Sequence, residues 1–152
     1  MIRQIEHYHG AALARLLRGE FEESVRVSVH QRIRSAYALN EHVSLYVKYA
    51  TSRLSPWSFG FKAGHQDEIA ALRAEFHEAF VVLVCGTDGI VCLDEGEYAR
   101  LLDDEAESGE WIKVARSRRQ KYVVTGSNSL GAFRVADNEY PAKVYAALRS
   151  NT

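Results

Sequence analysis

The sequence predicts a mixed α/β fold, on three observations. Short runs of β-branched and aromatic residues alternate with polar ones, longer stretches repeat apolar residues every three or four positions, and Gly, Pro, Asn and Asp punctuate them. The 152 residues are 47% hydrophobic and 11% aromatic, enough for one core that relies on neither disulfides nor a structural metal. Residues 1–152 are therefore read as a single domain, with a central mixed β-sheet flanked by helices and a C-terminal strand-helix extension.

Each element has its own signal. Ile5, Tyr8, Ala12 and Leu16, with Leu13 and Leu17, mark one face of an opening helix that ends near Gly19. Val25, Val27 and Val29 alternate with Arg26, Ser28 and His30 in a first strand, Ile33, Tyr37 and Leu39 belong to a second, and Val43, Leu45, Val47 and Tyr49 line one face of a third. Asn40-Glu41 reads as the two-residue turn between the last two, which would set Ser35 opposite Tyr46. Beyond Ser55-Pro56-Trp57, Gly60 and Gly64 lead into a helix with Ile69, Leu72 and Phe76 inward and Asp67 and Glu68 near its positive end. Residues 80–85 and 90–93 are strands around Asp88-Gly89, and a two-residue turn there would set Cys85 opposite Cys92. Asp94 and Glu97 open a helix as a capping box, residues 111–114 and 121–125 are strands, and Pro141 sits in the first turn of a last helix.

Several function classes are excluded or disfavoured. The longest apolar run, residues 79–85, is far short of the roughly 18 residues that cross a bilayer, and the opening residues lack a signal peptide's apolar stretch. Two cysteines are too few for a disulfide scaffold, so a reducing cytoplasm is expected, and Cys85 and Cys92 read as small buried hydrophobes with a redox pair as the alternative. No CxxC, HExxH, GxSxG or Gly-rich phosphate loop occurs, and His7 and His9 diverge on a helix, so no metal or cofactor is expected. His65, at a helix start, reads as a capping residue.

The net charge of −1 hides segregation. Residues 24–64 carry six bases against Glu41 alone, residues 94–110 carry eight acids against Arg100, and residues 111–123 carry five bases and no acid. Arg53, Trp57, Phe59, Phe61 and Lys62 interleave cations with aromatics, a composition that can hold a phosphate backbone while a ring such as Trp57 stacks on bases. The strand spacing of the three rings favours a buried face over a stacking platform. Arg116, Arg118, Arg119 and Lys121 form a basic loop between strands that can clamp phosphates or pair with the acidic 94–110 segment of this or another copy.

The helix, three-strand, helix, strand order resembles the restriction-endonuclease-like superfamily, also called PD-(D/E)xK, and is most similar to its small Holliday-junction resolvases. The resemblance rests on Leu45-Tyr46-Val47-Lys48, the loop through Pro56-Trp57, His65-Gln66 and the apolar run 80–84, within residues 43–102. It implies a strand lysine, Lys48, beside carboxylates that hold a divalent metal and activate water. Residues two apart on a strand share a face, so the paired carboxylate should stand at position 46, where the sequence has Tyr46. Glu41 is the remaining acid nearby, with Glu20, Glu22 and Glu23 as the other candidates for rebuilding a cluster.

The expected function is a nucleic-acid-binding protein on a catalytically degenerate nuclease-like core. Lys48, Arg53, Lys62, Gln66, Arg116, Arg118, Arg119 and Lys121 would contact DNA or RNA, and Trp57 would stack. If catalysis survives, Lys48 and Glu41 are the residues to carry it, with magnesium. A protein-interaction subunit of a bacterial defence or toxin-antitoxin pair, docking through its polarised charge, is the alternative from another class.

Overall fold

The computed structural model describes residues 1–103, 109–128 and 131–150, and within them the strand periodicities resolve into two sheets. The alternating segment gives the meander β1 (Val27–Val29), β2 (Ala36–Leu39) and β3 (Val43–Ala50), preceded by α1 (Gln4–Arg18). After β3 the chain leaves through β4 (Trp57–Phe61) and α2 (Ala63–Glu75) and returns as β5 (Glu78–Cys85), parallel to β3 from Val43↔Glu78 to Ala50↔Cys85. β6 (Gly89–Leu93) closes this first sheet in the order β1-β2-β3-β5-β6. α3 (Glu95–Leu101) then leads to β7 (Glu110–Ala115), β8 (Tyr122–Gly126) and β9 (Phe133–Val135), which join β4 in an antiparallel second sheet, and α4 (Glu139–Ser150) follows. With four helices and nine strands among the described residues, the α/β class holds. The second sheet was not separable from the first in the sequence.

β5 explains the longest apolar run. Its residues from Ala79 to Cys85 are all buried, because both faces of the first sheet are covered. On one face Leu45, Val47, Val82 and Cys92 pack against Ala12 and Leu16 of α1 and Val144 and Leu148 of α4. On the other, Tyr46, Val81, Leu83 and Cys85 meet Ile69 and Leu72 of α2, Tyr98 of α3, and the inward residues Trp57, Phe59, Phe61, Ile112, Val114 and Val124 of the second sheet. Among the described residues no helix is long and apolar enough to cross a membrane.

Both hairpins carry one more residue than expected. Leu39 pairs with Val43, leaving Asn40, Glu41 and His42 in the turn, with Asn40 and Glu41 both at positive φ (50° and 67°), so Ala36 and not Ser35 opposes Tyr46. Cys85 pairs with Gly89, and the residue taking the left-handed conformation is Gly86 (φ 53°). Cys92 therefore faces Val82. The cysteines belong to the cores on opposite faces of the sheet, which removes the redox pair. Burial holds both thiols protonated well above their ordinary range. Native protein is expected to leave both unreactive toward a thiol-specific dye and both reactive after unfolding; one thiol labelled at the native rate of a free cysteine would contradict this burial.

Helix starts are the other adjustment. α2 opens at Ala63, two residues before His65, so Asp67 and Glu68 lie in its second turn. The first-turn cap is His65, whose Nδ1 accepts the Lys62 backbone N–H at 3.2 Å. At α3 the Asp94/Glu97 box forms as expected, with reciprocal bonds of 2.8 and 3.0 Å.

Candidate functional site

The antiparallel pairing Trp57↔Val114 brings the loop before β4, residues 51–56, beside the loop after β7, residues 116–121. Arg116 ties the two. Its backbone N–H donates to Ser55 Oγ at 2.9 Å, its Nε to the Gln120 carbonyl at 2.9 Å, and its Nη1 to Asp88 Oδ2 and Tyr122 Oη at 3.0 Å each. Its guanidinium also lies 4.7 Å from the centre of the Tyr122 ring, and the Tyr122 hydroxyl donates to Asp88 at 2.6 Å. Burial and the Asp88 carboxylate push the Tyr122 phenol up, so it remains a donor. The turn after β5 thereby joins the other two loops, and Arg116 is their clamp and not an open phosphate ligand.

Arg53, Arg118, Arg119 and Lys121 project from the same two loops, exposed, and none has a salt-bridge partner among the described residues. Trp57, read as a stacking ring, lies instead beneath them: it is 2% exposed and its Nε1–H donates to the Ser52 carbonyl at 2.8 Å. The bulk of an indole with its one donor satisfied internally makes it a core residue.

Lys48, Lys62 and Gln66 gather at the other end of β4, roughly 13 Å along the strand. Lys48 is half-buried there. Its ammonium donates to the Gly60 carbonyl, lies 3.2 Å from His65 Nδ1 and stands 4.6 Å from the Phe61 ring centre. Burial first, then Lys62, lowers its pKa to about 8 against the opposing pull of Glu68. His65, accepting at Nδ1 from two donors, is held below its ordinary pKa by burial and by Lys48. Two residues back, the buried Tyr46 hydroxyl donates to Glu68 Oε1 at 2.7 Å, and burial with this carboxylate raises it. Gln66 Nε2 reaches the Phe61 carbonyl at 3.4 Å, so the amide braces the start of α2, and Lys62 stands exposed.

Glu41 does not approach Lys48. It lies in the turn before β3, and the strand from Val43 to Lys48 alone spans roughly 16 Å. Glu22 pairs with Arg149, on the face covered by α1 and α4. Glu68 is thus the carboxylate beside the lysine, with one oxygen already bonded to Tyr46, and among the described residues no group of three or more His, Cys, Asp and Glu could hold a metal. A hard divalent cation needs several oxygen ligands, and the residues around Lys48 do not fit one.

Among the described residues of the acidic segment, Asp94, Glu95, Glu97 and Glu110 are engaged within the chain. Glu97 and Glu139 hold Lys143 at 2.7 and 3.0 Å, Glu95 faces Arg73 at 3.7 Å, and Glu110 accepts from Ser127 and from the Asp103 N–H. Residues 104–108, which carry three of its acids, lie outside the described residues.

Sequence reasoning missed Trp111, Lys113 and Arg134. Ile112 and Val114 are buried while Trp111 is 46% exposed, so Trp111 and Lys113 share the outer face of the second sheet. That alternation is visible in the sequence, but its direction depends on which face β4 and the first sheet cover.

No family profile, curated protein or solved structure matches this chain.

Lys48 makes a stability prediction with a definite sign. Between pH about 8 and 10.5 the unfolded chain keeps a proton that the folded protein has released, so stability rises with pH across that window. Below it the folded state carries the full cost of a desolvated ammonium. Lys48→Met is expected to gain about 1–2 kcal/mol at neutral pH, discounted for the lost Gly60 bond, and to lose the rise. Urea unfolding at neutral and alkaline pH checks this; a variant less stable than the parent at neutral pH contradicts it.

Proposed function

We propose that this protein binds nucleic acid through its phosphate backbone, at the edge formed by the loops 51–56 and 116–121. The observation that carries the reading is four exposed cations without ion-pair partners among the described residues, Arg53, Arg118, Arg119 and Lys121, on two loops that Arg116 fixes together. A cation engaged with a carboxylate must give up that partner to bind a phosphate, whereas Arg53, Arg118 and Arg119 have none among the described residues and Lys121 feels the Glu139 carboxylate only from beyond ion-pair distance. Pinning the loops through Ser55, Asp88 and Tyr122 lowers the ordering cost of presenting the cations at once.

Support for a nuclease-like core comes from the parallel β3–β5 pair joined through α2 and from Lys48 on the inward face of β3. The absence of a fitting metal site near Lys48 favours binding over hydrolysis. The test is a fluorescence-anisotropy titration of labelled DNA and RNA, single- and double-stranded, over increasing salt. Four phosphate contacts predict log K falling with log salt at a slope of roughly −3 to −4. No binding to any of these at low salt overturns the reading.

A further inference from the structure

The outer face of the second sheet has a composition that packing does not explain. Trp111 stands on a central strand, yet its indole is 46% exposed. Its cross-strand neighbour on β4 is Gly60, and a Cβ built at Gly60 would meet no atom within 4 Å, so the ring does not lie over the glycine. On the β8 side the neighbour is Ser127, whose N–H donates to the Trp111 carbonyl at 3.0 Å and whose hydroxyl accepts from the Trp111 N–H at 3.2 Å while donating to Glu110. Small residues therefore flank the indole on either side and leave it uncovered. Along the same face, Lys113 stands between Ser58 and Thr125, and Arg134 beside Val123. Among the described residues these outward positions are themselves free of carboxylates, and Glu110 reaches the rim of the face through its bond from Ser127.

An aromatic ring kept bare among small residues, with Lys113 two positions along the same strand and the nearby Glu110 carboxylate already engaged by Ser127 and the Asp103 N–H, suits a ligand that offers a flat π-face and negative charge together. A duplex covers its base faces by stacking; an unpaired strand does not. An apolar peptide would need a continuous apolar stripe, and this face offers one ring. From Trp111 to Ala115, the last residue of β7, is roughly 13 Å, so a strand laid along it passes from the ring to the cationic loops.

We propose that this face seats single-stranded nucleic acid, with an unpaired base on Trp111, a phosphate on Lys113 and a later phosphate on Arg134, which stands two strands over on the Ala115 row. The inference rests on the backbone-binding reading above and adds to it a preference for unpaired strands. The probes are a short oligothymidylate and a duplex of mixed sequence, with Trp111→Ala and Trp111→Phe compared against the parent. Trp57 is buried, so tryptophan quenching by the oligothymidylate reports on Trp111. The expected result is quenching in the parent and roughly tenfold or greater loss of single-strand affinity in Trp111→Ala. Duplex binding should be nearly unchanged, and Trp111→Phe should recover most of the loss. Equal single-strand affinity of Trp111→Ala and the parent, or binding without quenching, overturns this inference while leaving backbone binding intact. Failure of the parent to bind either probe overturns both.

Discussion

Alanine at Arg53, Arg118, Arg119 and Lys121 together is expected to weaken nucleic-acid binding by about two orders of magnitude at physiological salt and to flatten the salt dependence by roughly three units. The magnitude follows from counterion release: each phosphate neutralised contributes about 0.7 to 0.9 to the slope, and that contribution fades toward molar salt. These side chains take no part in the core or in any ion pair among the described residues, so the unfolding free energy should stay within about 0.5 kcal/mol of the parent. Anisotropy titrations at several salt concentrations, with urea unfolding alongside, separate the two readouts. A variant that binds with an unchanged slope would place the phosphate contacts elsewhere on the molecule. Arg116→Ala differs in kind, because it frees Asp88 and Tyr122 from their shared partner and should lower stability and binding together.

Much of the architecture was legible from local pattern. The alternation through Val43–Ala50 and the unbroken apolar run of β5 both identify strands, although Val43–Val47 of β3 is buried on both faces just as β5 is. What could not be read was pairing over long separations. Trp57, Phe59 and Phe61 announce a strand, but their partner β7 lies more than fifty positions on at Ile112 and Val114, and nothing local shows that β4 leaves the first sheet. Turn chemistry located both hairpins and misjudged both registers, since Asn40-Glu41 and Asp88-Gly89 mark where the chain reverses but not how many residues it uses. The site shows the same division. Charge density pointed to the loops 51–56 and 116–121, but which cations are already engaged depends on partners remote in sequence, as Asp88 is for Arg116. Lys48 was placed on the correct strand, and its half-burial against Gly60 and His65 followed only from where β4 and α2 come to rest.

Gly86→Ala is expected to be the most damaging small substitution behind the cationic edge, at about 3–4 kcal/mol. Gly86 has φ +53°, which an L side chain adopts at a cost of about 1–2 kcal/mol. The added Cβ would also stand 2.2 Å from the Ser52 carbonyl oxygen, backbone that cannot swing aside, and 3.2 Å from Trp57 Nε1. Relief requires the 51–56 loop to move outward, which withdraws the Ser52 carbonyl from the indole it now accepts and leaves a buried donor unmet, worth about 1–3 kcal/mol. Gly64, where a Cβ would meet nothing within 4 Å, serves as the control, and Gly64→Ala in α2 should be neutral or slightly stabilising. Because the displaced loop carries Arg53 and holds Ser55 against Arg116, Gly86→Ala should also reduce nucleic-acid affinity several-fold without altering any charge. Urea unfolding followed by tryptophan emission reads the first effect and anisotropy the second. Stability within 1 kcal/mol of the parent would mean that the 51–56 loop can yield without cost, and that the cations it presents are not held in place by the core beneath them.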